Sequence, residues 1–66
     1  MITVELVKQR VGEVASVVHD DEVAHIRADA LFDDVLKAIA AGHPDAQALA
    51  AAALEVNNLD FEWHHA

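Results

Sequence analysis

Apolar residues recur along this chain at the spacing of helices, and the clearest pattern lies in its middle. Ala24, Ala28, Leu31, Val35 and Ala38 step by four, three, four and three. At 3.6 residues per turn they form one stripe, flanked by Phe32, Leu36 and Ile39. Arg27, Asp29, Asp33, Asp34 and Lys37 fall mainly on the other side, where Val23 and Ile26 stand out as apolar exceptions. Asp20, Asp21 and Glu22 place acceptors and negative charge where a helix begins, and Gly42 followed by Pro44 marks its end. The pattern predicts an amphipathic helix over residues 21–41.

Before it, Val4, Val7, Val11, Val14 and Val18 recur by three, four, three and four. This seam predicts a helix over residues 3–18, with Thr3 as its cap. Ile2, Val4 and Leu6 also alternate with Thr3 and Glu5, which is the pattern of a strand. Helix is favoured because the spacing persists beyond a strand's usual length, although Gly12 costs about 1 kcal/mol against alanine in a helix interior. Leu6 and Val17 sit off the valine stripe and hint at a second contact surface.

After Gly42, His43 and Pro44 open a third helix, expected over residues 44–57, with Asp45 in its first turn. Ala46, Leu49, Ala50, Ala53 and Leu54 are expected on one face, and Asn57 and Asn58 at the end. The tail, residues 59–66, carries Leu59, Phe61 and Trp63 and is expected to dock on the bundle or on a neighbouring subunit. The fold class expected is all-α: one domain over residues 1–66, a three-helix bundle with a docked aromatic tail. The connection at residues 19–21 is short enough to fold the second helix back on the first.

Size and composition sharpen this picture. At 66 residues the core is small, and chains below roughly 70 to 80 residues usually need a staple or a partner. With no cysteine, the staple is neither a disulfide nor a thiolate zinc site. A composition 55% hydrophobic argues against disorder. Twelve carboxylates against four Lys and Arg give a formal charge of −8, which disfavours contact with phosphate backbones. No apolar run is long enough to span a membrane, and no signal segment is evident, so a cytoplasmic protein is expected.

Part of this pattern resembles a known group. Asp20, Asp21, Ala24, His25, Asp29, Leu31, Val35, Leu36, Ala38, Ile39 and Ala40 carry the likeness, continued by Leu49, Ala50, Ala53 and Leu54. Asp60 and Phe61 before the terminal Ala66 complete it. From about His25 onward the chain is similar to short uncharacterised helical proteins encoded by actinobacteriophage and actinobacterial genomes. Those relatives carry their tail aromatic one residue later, where this chain has His64. The resemblance implies a phage origin, and hence the cytoplasm of an infected bacterium. It implies no activity.

The candidate chemistry is modest. His25 has Asp21 and Asp29 one turn away on either side, the setting of an oriented, pH-sensitive histidine or of a boundary histidine tied to a carboxylate. His64 and His65, with Asp60 and Glu62, offer ligands for a weak divalent site, but adjacent residues seldom point the same way. Glu22, Asp29, Asp33 and Asp34 make an acidic ridge. Carboxylate catalysis there would need a pocket that raises one pKa, which three slim helices do not readily provide. No catalytic residue, cofactor or metal is therefore expected. The leading expectation is a non-enzymatic interaction protein, binding itself or a host protein through Leu6, Val17, Val23, Ile26, Phe61 and Trp63. A rival is an acidic DNA mimic that uses the ridge to occupy a basic groove. A third is a small metal-binding module built on histidines.

Overall fold

The computed structural model describes residues 2–59. Three α-helices, α1 (Val4–Ala15), α2 (Asp21–Ala40) and α3 (Ala46–Leu54), each pack on the other two, and a 3-10 turn (Glu55–Asn58) follows α3. No strand occurs among the described residues, so the helical alternative holds for the valine-rich start. The tail expected to dock, including Phe61 and Trp63, lies outside the described residues, apart from Leu59, which packs against the core.

The helix ends follow from local chemistry. Thr3 Oγ1 accepts the Leu6 N–H at 3.1 Å, and Asp20 Oδ1 accepts the Val23 N–H at 3.2 Å, each satisfying an amide left open by the first turn. Helix α1 stops at Ala15, short of the expected end at residue 18. The Ser16 hydroxyl donates to the Glu13 carbonyl at 2.7 Å, the acceptor a continuing helix would offer to Val17. The Val17 N–H turns instead to the Val14 carbonyl at 3.1 Å. As a result Val17, rather than Val18, packs against the core.

Helix α2 closes in a Schellman motif. The N–H of Gly42 bonds the Ile39 carbonyl at 3.0 Å and that of His43 bonds the Ala38 carbonyl at 3.1 Å. Gly42 has φ +88°, which a side chain would resist. Helix α3 begins at Ala46 rather than at 44, because Pro44 and Asp45 are spent on a turn. Asp45 makes no side-chain cap. Its N–H donates to His43 Nδ1 at 2.9 Å, while His43 Nε2 lies 2.7 Å from the Ile2 carbonyl. Since Nδ1 accepts, the ring proton sits on Nε2 and is donated to Ile2. His43 thereby ties the start of the chain to the α2–α3 turn.

The core consists of Val7, Val14, Ala24, Ala28, Leu31, Val35, Leu49, Ala52, Ala53 and Val56, and no polar side chain is buried among the described residues. Four of these ten are alanines, so helices must approach closely to cover them. The stripe expected on α2 is the one buried. That of α3 is rotated: Leu49, Ala52, Ala53 and Val56 point inward, and Leu54 is 57% exposed. Alanines surround the axis of α3, so periodicity alone has nothing to choose between. Val56, fully buried by the 3-10 turn that replaces the expected last helical turn, selects the face.

Candidate interaction faces

Helix α2 is central, and the angle of each side chain around it decides what the surface offers. At 100° per residue, Val23, Arg27 and Ala30 lie toward one flank of the buried stripe, while Phe32, Leu36 and Ile39 lie toward the other. A groove of about 390 Å³ runs along the first flank, with Arg10 and Glu13 of α1 facing Val23, Ile26, Arg27 and Ala30 of α2. A second groove, about 180 Å³, lies along the other flank between Phe32, Val35, Leu36 and Ile39 of α2 and Ala50, Ala53 and Leu54 of α3. Ile26 is 60% exposed and Leu36 65%.

The residues expected to make contacts thus separate. Val23 and Ile26 come together in the first groove. Leu6, 40% exposed, lines neither groove. Val17 is taken up by the core. Leu36 and Leu54, assigned by periodicity to buried faces, are instead exposed. For Leu36 the signal was available, since it sits roughly 110° from the centre of the α2 stripe.

Two of the four carboxylates of the acidic ridge, Asp33 and Asp34, meet a Lys or Arg. Arg10 Nη1 meets Asp34 Oδ2 at 2.6 Å, joining α1 to α2, and Lys37 Nζ meets Asp33 Oδ2 at 2.9 Å one turn along α2. The hydrogen bond that Lys37 donates to Asp33, then that carboxylate's charge, raises the Lys37 amine above its ordinary 10.5. His25 Nε2 lies 3.1 Å from Asp29 Oδ2, so of its two flanking aspartates the ring takes the later one. Glu22 stands with Asp21 in the first turn of α2, beside the positive end of the helix dipole. Arg27 and the Glu13 carboxylate, by contrast, form no ion pair among the described residues.

Among the described residues no three His, Asp or Glu side chains converge to hold a metal ion. Asp60, Glu62, His64 and His65 lie outside them. No described helix is long and apolar enough to cross a membrane. No protein family, curated protein sequence or solved structure matches this chain.

Proposed function

We propose that this chain is a small phage accessory protein that works by protein–protein contact in the host cytoplasm and catalyses no reaction. Its first partner is a second copy of itself, and a host protein is the other class of partner. The observation that carries this reading is the exposure of Ile26, Leu36 and Leu54, each more than half open, along two grooves on opposite flanks of α2. So small a fold has little apolar area to spare, and large open side chains at grooves mark contact surfaces. The phage assignment rests on the resemblance carried by the α2 and α3 residues.

The DNA-mimic alternative draws less support. It needs a row of uncompensated negative charge, whereas Asp33 and Asp34 each meet a cation, at 2.9 Å and 2.6 Å. Light scattering across a wide concentration range tests the leading reading. Mass is expected to rise above 7.1 kDa with concentration. A species fixed at that mass throughout would overturn self-association.

A further inference from the structure

We propose that the groove between α1 and α2 is the face on which two copies of this chain meet about a two-fold axis. Ile26 of each copy seats in the groove of the other, and Glu13 of each pairs with Arg27 of the other. The proposal rests on the self-association reading and specifies where it occurs.

Three observations lead there. Ile26 is 60% exposed beside Val23 and Ala30, so this groove has an apolar floor facing water. Each wall carries a charged side chain of opposite sign, Glu13 on α1 and Arg27 on α2, and neither is paired with another described residue, whereas Arg10, also on the α1 wall, is already held by Asp34. A two-fold contact brings residue i against j and j against i, so one unpaired acidic and one unpaired basic residue on facing walls make a self-complementary face. Finally, the chain carries a formal charge of −8, and any second copy arrives with the same charge. Contact is favoured where a cation is uncompensated, and Arg27 in this groove is one, since the groove's other cation, Arg10, already meets Asp34. The α2–α3 groove has no charged residue in its lining, so nothing there selects a second copy over any other apolar partner.

Charge reversal tests the arrangement. Glu13→Arg moves the formal charge from −8 to −6, and Arg27→Glu moves it from −8 to −10. If overall repulsion governed association, the first variant would associate more tightly and the second less. Paired walls require both to weaken, by about tenfold or more, because each puts like charges face to face twice. Mixing the two variants should restore assembly. The arginine introduced at position 13 of one copy then meets the glutamate introduced at position 27 of the other, while the remaining native pair stays intact. Wild type, each variant and the equimolar mixture would be compared by sedimentation equilibrium, with circular dichroism to check that all are folded.

Two weakened variants and a rescued mixture are the expected result. Variants that associate as wild type does, or a mixture that stays dissociated, would overturn this face while leaving self-association standing. A wild type that never exceeds 7.1 kDa would instead remove the underlying reading together with this face.

Discussion

Leu31 and Leu36 lie five residues apart on one helix, and truncating each to alanine should have very different consequences. Leu31 is fully buried among the core residues, whereas Leu36 is 65% exposed. Leu31→Ala removes the covered part of the side chain and leaves a cavity that neighbours only partly fill, at a cost of about 2.7–5 kcal/mol. A 66-residue domain has roughly 3–10 kcal/mol in all, from about 0.05–0.15 kcal/mol per residue. One methyl-rich side chain therefore carries a large share of the stability. At about 4–8 °C per kcal/mol for a chain of this size, a loss near 3 kcal/mol lowers Tm by about 12–24 °C. Leu36→Ala, on the surface, should stay within about 0.5 kcal/mol of the parent. Thermal melts by circular dichroism, run dilute enough to suppress self-association, would measure both. Equal losses at the two positions, or a larger loss at Leu36, would refute the orientation assigned to α2.

The two glycines should respond in opposite directions. Gly12 sits in the interior of α1 with nothing within 4 Å of an added Cβ, so Gly12→Ala should stabilise by up to about 1 kcal/mol. Gly42 also has open space, but its φ of +88° makes Gly42→Ala destabilising by about 1–2 kcal/mol, and urea titration of both variants would check the contrast. The raised Lys37 amine contributes stability that is complete below pH 10.5 and is lost as pH climbs through the raised value. An NMR titration should therefore place the Lys37 midpoint above 10.5, and Asp33→Asn should bring it back toward that figure; an unmoved midpoint would contradict the hydrogen bond as its cause.

Residue types at fixed spacing are enough wherever neighbours along the chain settle the outcome. Thr3 and Asp20 as caps, Gly42 as the left-handed stop and the Ala24–Ala28–Leu31–Val35 stripe all follow from contacts within one turn or two, so each was legible before any coordinates. Val23 and Ile26, apolar residues on the polar side of α2, stood out in the same way and line one groove. Other features exist only once the helices have packed. In α3, alanines lie all round the axis, and packing against the other two helices turned Ala52 and Val56 inward and Leu54 out. The His43 bridge to Ile2 joins residues 41 positions apart, and no local pattern announces it. Glu13 and Arg27 share a groove only because α2 folds back along α1. Periodicity fixes an angle around one helix axis, but which angles face a neighbour and which face water depends on where the other helices come to rest.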